Sequence, residues 1–138
     1  VSAFLVDTDW AIDVLHGQTD AVETLVRLAP MGLAMSYVSY AELYEGAWYA
    51  RERERDLDAL NIFLAGKDLL ALSMVVMERF AILRGALPRQ HRRQVGDMDL
   101  LIAATAQIHG LTLLTRNRRD FELIPGLRIY TDDVHSEP

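Results

Sequence analysis

Short apolar runs alternate along the chain with longer segments whose apolar residues recur at helical spacing. Ala3–Val6 is a compact apolar run ending at Asp7 and predicts a buried strand. Trp10–His16 predicts a brief helix stopped by Gly17. Thr19 or Asp20 opens a second helix, with Asp20 and Glu23 at capping-box spacing, running to about Ala29 before Pro30. Leu33–Val38 predicts the second strand. Ser39 is the expected cap of a long helix through about Arg55, and Asp56–Leu64 continues as another until Gly66. Leu69–Leu72 predicts a third strand, and Ser73–Leu87 a helix that Pro88 terminates. Pro88–Gly96 is a polar, arginine-bearing loop. Met98–His109 then predicts a helix ended by Gly110, Leu111–Thr115 a strand, Arg116–Asp120 a loop and Leu127–Tyr130 a last strand. The final few residues are expected to fray.

Strands that alternate with helices, joined by crossovers long enough for right-handed βαβ units, predict an α/β fold whose parallel sheet is covered on both faces. No repeat, linker or low-complexity stretch interrupts the 138 residues, so residues 1–138 read as a single domain. The chain has no cysteine, which excludes disulfides, zinc ribbons and a thiol nucleophile. No apolar run approaches the ~20 residues of a membrane span. The opening Val-Ser-Ala-Phe-Leu-Val-Asp lacks the basic start of a signal peptide, so the expectation is a cytoplasmic protein without membrane association.

Charge changes the picture by position more than by sum. The net charge of −6 disfavours indiscriminate nucleic-acid binding. Residues 1–50 hold one basic residue, Arg27, against seven acids, whereas the remainder is balanced and nearly all its bases are arginine. That asymmetry suits a carboxylate cluster with arginines near an anionic ligand.

Ligands of open α/β sheets bind beyond the carboxyl ends of the strands. Asp7, Thr8 and Asp9 follow the first strand, and Ser39 and Glu42 follow the second. Thr115, Arg116, Asn117 and Asp120 follow the Leu111–Thr115 strand, while Asp97 and Asp99 open the preceding helix. Carboxylates gathered without basic partners call for a cation, and oxygen donors favour Mg²⁺ or Mn²⁺. Such a centre suits in-line attack of activated water on phosphorus.

A charge ending a buried strand is costly unless liganded, which marks Asp7 as functional. Asp9 is placed to cap the following helix. Ser39-Tyr40-Ala41-Glu42 matches a capping box, so spacing leaves Glu42 open between cap and ligand. Asp97 and Asp99 lie roughly 200° apart on a helix; Asp99 shares a face with Ile102, Ala103 and Ala106, and Asp97 fits the N-cap. His16, His91, His109 and His135 show no metal-ligand spacing. Tyr40, Tyr44 and Trp48 form a second apolar face beside Leu43 and Ala47, a pattern suited to a subunit or partner contact.

Four segments, taken in order, resemble the motifs of the PIN-domain family, and within it the VapC-type ribonuclease toxins of prokaryotic toxin–antitoxin modules. They are Phe4-Leu5-Val6-Asp7-Thr8-Asp9, Glu42-Leu43-Tyr44-Glu45-Gly46, Asp99-Leu100-Leu101-Ile102-Ala103-Ala104-Thr105-Ala106 and Thr115-Arg116-Asn117-Arg118-Arg119-Asp120-Phe121. The resemblance implies a three-layer α/β/α sandwich with a mainly parallel central sheet. It also implies Mg²⁺- or Mn²⁺-dependent endoribonuclease activity, a homodimer, and inhibition by a cognate VapB-type antitoxin through which alone DNA is met.

By position, Asp7, Glu42 and Asp99 match the acidic triad that holds metal. Thr115 matches a residue lining the site, and Asn117 stands where relatives commonly carry Asp. Arg116, with Arg118 and Arg119, lies beside the site in sequence and would hold phosphates of an RNA substrate. Two other readings remain open on sequence alone. One is a PIN-like module that binds RNA or a partner without cutting. The other is a haloacid-dehalogenase-like phosphatase, suggested by Asp7-Thr8-Asp9 and Gly96-Asp97-Met98-Asp99.

Overall fold

The computed structural model describes residues 1–132; the expected fraying of the last residues, and His135, lie outside them. Four strands, β1 (Phe4–Val6), β2 (Leu33–Ser36), β3 (Asp68–Leu70) and β4 (Thr112–Leu114), form one parallel sheet in the order β3-β2-β1-β4. The chain steps from β1 outward through β2 to β3, then crosses back to lay β4 on the other side of β1. The boundary between β1 and β4 is therefore the point where the winding reverses, the place where open α/β sheets leave a crevice.

Both faces of the sheet are covered, which explains why its strands read as continuous apolar runs. Helices α1 (Thr8–Leu15), α2 (Thr19–Leu28), α3 (Tyr37–Trp48) and α4 (Arg53–Leu64) supply one layer, and α5 (Met74–Ala86) and α6 (Asp97–Ile108) the other. Side chains alternate between two cores. Leu5, Ala34 and Leu113 pack with Val76, Leu83 and Ile102, whereas Val6, Met35 and Leu114 pack with Trp10, Leu25 and Leu60. Ala103, Ala104 and Ala106 of α6 are fully buried, and these small side chains permit the close packing of that helix. Gly110 ends α6 at φ +66°; its N–H donates to Gln107 O (3.2 Å) and Leu111 N–H to Ala106 O (2.8 Å), a left-handed stop that glycine adopts without strain.

Several boundaries differ from the sequence expectation. The second strand stops at Ser36, and Ser36, not Ser39, caps α3 by accepting from Val38 N–H at 3.0 Å. The strand ends where the backbone of Ser36 is still extended (ψ 151°), so the helix starts three residues early. The expected long helix breaks between Trp48 and Arg53 into α3 and α4. The loop after β4 contains the short helix α7 (Arg118–Phe121), and Pro88–Gly96 carries a 3-10 turn at Arg89–His91. In place of a full last strand, one parallel bridge, Leu113 to Ile129, extends the sheet beyond β4.

Candidate active site

Strand register builds the centre of the site. Phe4, Leu5 and Val6 pair with Thr112, Leu113 and Leu114, so the next residues on each strand, Asp7 and Thr115, meet beyond the sheet edge. Thr115 Oγ1 donates to Asp7 Oδ2 at 2.7 Å and accepts from Asn117 N–H at 2.9 Å. Asp7, not Asp9, is the N-cap of α1: its Oδ1 accepts from Thr8 N–H at 2.8 Å. The strand ends immediately before the helix, leaving no room for a later cap.

Asp7 is 5% exposed, and burial followed by the charge of Asp9 pushes its carboxyl from 3.8 up to about 7. Its hydrogen bonds from Thr115 and Thr8 act the other way without cancelling the rise. Asp99, half-buried in the first turn of α6, is also raised, first by burial and then by Asp120, Glu42 and Asp9. Asp7, Asp9, Glu42, Asp99 and Asp120 thus feel one another's charge, and among the described residues none of the three triad acids has an ion pair with arginine or lysine.

Glu42 is free for this site because the capping-box alternative is gone. Ser39 lies inside the first turn of α3, fully buried. Thr8 Oγ1 donates to Glu42 Oε1 at 2.5 Å and sits 3.0 Å from Ser39 Oγ. A hydroxyl has one proton to give, so Thr8 gives it to the carboxylate and accepts from Ser39. Thr8 consequently ties the first acid to the second, through its N–H to Asp7 and its hydroxyl to Glu42.

The structure also separates Asp97 from Asp99. Gly96 occupies the N-cap of α6, contrary to the expectation for Asp97, and Asp97 in the first turn is exposed and paired with Arg84. Asp99 has instead the Nδ2 of Asn117, at 3.4 Å from its Oδ2. The same Asn117 Nδ2 reaches Asp120 Oδ2 at 3.2 Å, and Gln94 Nε2 donates to Asp120 Oδ1 at 2.9 Å; the Gln94 bond is the main cause that holds the partly exposed Asp120 carboxyl below its ordinary value. Asp120 therefore faces the triad, and Asn117 stands between two acids as a donor.

Arg116 is placed differently from a phosphate contact. Its guanidinium lies 4.1 Å over the Trp10 ring and bonds Asp13 (3.0 Å), Gln18 (3.0 Å) and Asp20 (3.1 Å), while its N–H donates to Asp9 Oδ1. It staples the β4 loop to α1 and the start of α2. Thr8, Asp9 and Ser39 stood among the strand-end positions named from the sequence but without the roles seen here, and Gln94 is the participant that sequence reasoning missed. Thr8 had a signal in its adjacency to Asp7; Gln94 had none, since its partner lies 26 residues away.

The acids fit a divalent cation by their chemistry: oxygen donors only, half or more buried in the case of Asp7 and Asp99, repelling one another and lacking basic partners. Among the described residues no group of three or more His, Cys, Asp or Glu side chains is placed to hold a metal ion together. An Mg²⁺-type site does not need one, since that ion takes one or two carboxylates and keeps waters and substrate oxygens. Beside Glu42, an apolar cleft of about 310 Å³ runs between α1, α3 and α4, lined by Ile12, Leu15, Leu43 and Leu60.

The phosphatase reading fails on topology. Its late acids must follow a strand, whereas residues 89–96 form a 3-10 turn and loop, and Lys67 is occupied by Phe63 O at 2.5 Å.

The family model for the PIN domain matches residues 4–127. The chain belongs to the PIN-domain family. Within it, the chain is 35% identical over 127 residues to ribonuclease VapC19 of Mycobacterium tuberculosis, covering 90% of this chain and 96% of that protein. It is 31% identical over 125 residues to the tRNA(fMet)-specific endonuclease VapC of Shigella flexneri, covering 91% and 94%. Among solved PIN-domain structures it superposes on the DNA-bound VapBC of Salmonella typhimurium with a TM-score of 0.86 at 28% identity, covering 94% of this chain and 98% of that one. VapBC2 of Rickettsia felis, bound to a fragment of its promoter, gives 0.84 at 26%, covering 95% and 99%. The three-layer PIN architecture expected from the sequence is thereby the observed one.

Proposed function

We propose that this PIN domain is a divalent-metal-dependent endoribonuclease toxin that hydrolyses RNA phosphodiester bonds and is neutralised by a VapB-type antitoxin. The observation that carries this reading is that Asp7, Glu42 and Asp99, from three separate elements, come within reach of one another's charge beyond the β1–β4 edge, and among the described residues none of them has an ion pair with arginine or lysine. Asp7 and Asp99 would hold the metal, Mg²⁺ or Mn²⁺, together with water and substrate oxygens, and Glu42 would stand beside it to orient the water. A bound cation there supplies Lewis-acid activation of water and neutralises charge developing on the phosphate.

The chain's own residues do the rest. Thr8 and Thr115 fix Asp7 and Glu42 by hydrogen bonds, so the carboxylates need little reorganisation when the phosphate arrives. Glu42 accepts a hydrogen bond from the attacking water and aims it in line. Asn117 bridges Asp99 and Asp120 through its amide donors and so offsets part of their repulsion. Attack on phosphorus with departure of the 3′-oxygen leaves a 5′-phosphate and a 3′-hydroxyl.

The relatives VapC19 and VapC are named for ribonuclease activity, and the VapBC structures pair such a chain with VapB, which supports the antitoxin partner. The apolar cleft beside Glu42 suits an apolar antitoxin segment whose neighbouring residues reach the carboxylates. DNA is met through the antitoxin. The exposed Tyr44 and Trp48, stacked at 6.0 Å, supply a face for a homodimer. Among the described residues no helix is long and apolar enough to cross a membrane.

The decisive experiment is RNA cleavage by antitoxin-free protein with Mg²⁺ or Mn²⁺ against chelator, with Asp99→Asn alongside. Metal-dependent cuts with 5′-phosphate ends, lost in the variant, support the reading. Verified metal-loaded protein that cuts none of a varied set of structured RNAs rejects it in favour of a non-cleaving module.

A further inference from the structure

A carboxylate site repels a polyanion, so RNA can approach it only where the rim supplies positive charge. The chain offers thirteen arginines and one lysine, and the structure sorts them. Arg116 is spent on Asp13, Gln18 and Asp20; Arg118 bonds Glu122 at 2.8 Å and Tyr130 O. Arg84 and Arg92 are turned onto backbone carbonyls of their own region. Among the described arginines only the guanidinium groups of Arg51, Arg89, Arg93 and Arg119 make no hydrogen bond or ion pair, although Arg119 acts by its charge on the neighbouring Asp120.

Three of those four lie on the two segments joined beside Asp99, Arg89 and Arg93 in the loop 88–96 and Arg119 in α7. The segment 88–96 contains no acid, so nothing within it neutralises Arg89 and Arg93. Nor is it a loose loop. Arg84 Nη1 grips Arg92 O (2.9 Å) and Val95 O (3.0 Å), Arg92 Nε grips Leu87 O (2.9 Å), and Val95 is buried. Gln94 then fastens it to Asp120, whose other oxygen meets Asn117 and through it Asp99. Arg93 and Arg119 are each one residue away from the Gln94–Asp120 bond, on the two segments that it joins.

Resting on the nuclease reading above, we propose that Arg93 and Arg119, with Arg89 extending the row, hold the phosphates of the RNA strand beside the carboxylate site, and that the Gln94–Asp120 bond sets their position. This reassigns the phosphate contacts from Arg116 and Arg118 to a basic edge formed by the loop 88–96 and α7. A guanidinium with free donors, carried on a fastened backbone, binds a phosphate without first breaking an internal pair.

The test measures single-stranded RNA binding by the full chain in an Asp99→Asn background, without added metal, over a range of salt. Arg93→Gln and Arg119→Gln are compared with Arg51→Gln, which removes the same charge beyond the far end of α3, a helix about 18 Å long by its twelve residues. The expected result is roughly three- to tenfold weaker binding for each of the first two, with the salt slope reduced by about 0.7 per lost contact, and no comparable loss for Arg51→Gln. In the cleaving enzyme, the same substitutions raise KM more than they lower kcat. Thermal unfolding of the variants reports whether the fold is kept. A cleaving wild-type enzyme whose Arg93 and Arg119 variants bind no differently from Arg51→Gln overturns this assignment and leaves the nuclease standing. A wild-type chain that neither binds nor cuts RNA overturns both.

Discussion

Two acidic regions lie side by side at the carboxyl edge of the sheet, and they are built on opposite principles. Around Arg116, Asp13 and Asp20 share one guanidinium that also stacks on Trp10. A few residues away, Asp7, Glu42 and Asp99 have hydroxyl and amide donors but, among the described residues, no arginine or lysine partner. The first region is neutralised within the chain and closes the junction between the β4 loop and α1–α2. The second holds unbalanced negative charge in partial burial, an arrangement that costs folding free energy and is sustained by the packing around it. The contrast recurs inside one helical turn, where Asp97 pairs with Arg84 and Asp99 does not. Pairing marks structure; its absence, at acids that meet beyond the strand ends, marks the candidate site.

The largest effect should separate these two aspartates. Asp99→Asn is expected to lower RNA cleavage roughly 10²- to 10³-fold, the worth of several kcal/mol of lost transition-state stabilisation, while Asp97→Asn stays near wild type. Equal losses in a metal-supplemented cleavage assay would erase the distinction between paired and unpaired acids.

Asp7→Asn should likewise abolish cleavage, yet stabilise the metal-free protein. Folding raises the Asp7 carboxyl from 3.8 to about 7, so the folded chain binds this proton more tightly than the unfolded one. The contribution of this group to stability is greatest below about pH 4, declines as pH rises, and is lost by about pH 7. Thermal unfolding of wild type against Asp7→Asn between pH 5 and 8 should show the variant gaining with pH. Added Mg²⁺ should restore the wild type alone at the upper end. A pH-independent difference would contradict the burial argument.

A smaller effect is expected at the threonine that joins the two acids. Thr8→Val should reduce kcat about tenfold by releasing Glu42, and Thr8→Ser, which keeps the hydroxyl, should recover most of it. Failure of serine to rescue would mean that the methyl group, not the hydrogen bond, matters.

The smallest expected effect is on the neutralised side. Arg116→Gln should cost about 1 kcal/mol of stability, seen as a modest fall in melting temperature, with RNA affinity reduced by less than in Arg93→Gln. A larger loss of affinity than of stability would return Arg116 to the substrate.

Much of this organisation was legible in the sequence because it is local. A strand buried on both faces writes a continuous apolar run, and a helix writes its own period and its glycine stop, so the order of elements, Asp7 at a strand end and Asp99 on the inner face of α6 could be read directly. Boundaries failed where two local signals competed. Ser36 and Ser39 are both competent caps, and only the point at which β2 leaves the sheet selected Ser36.

Other decisions belonged to the tertiary structure alone, since they depend on residues far apart in the chain. Arg116 is drawn to acids 96 and 103 residues before it, Gln94 finds Asp120, and Arg84 claims Asp97 while Asn117 claims Asp99. Charge in a sequence has a sign and a position but no partner. The amino acids by themselves determined which groups carry the chemistry; the parallel register of β1 and β4 and the packing of α6 decided which of those groups remained unpaired, and burial turned that lack of a partner into a site.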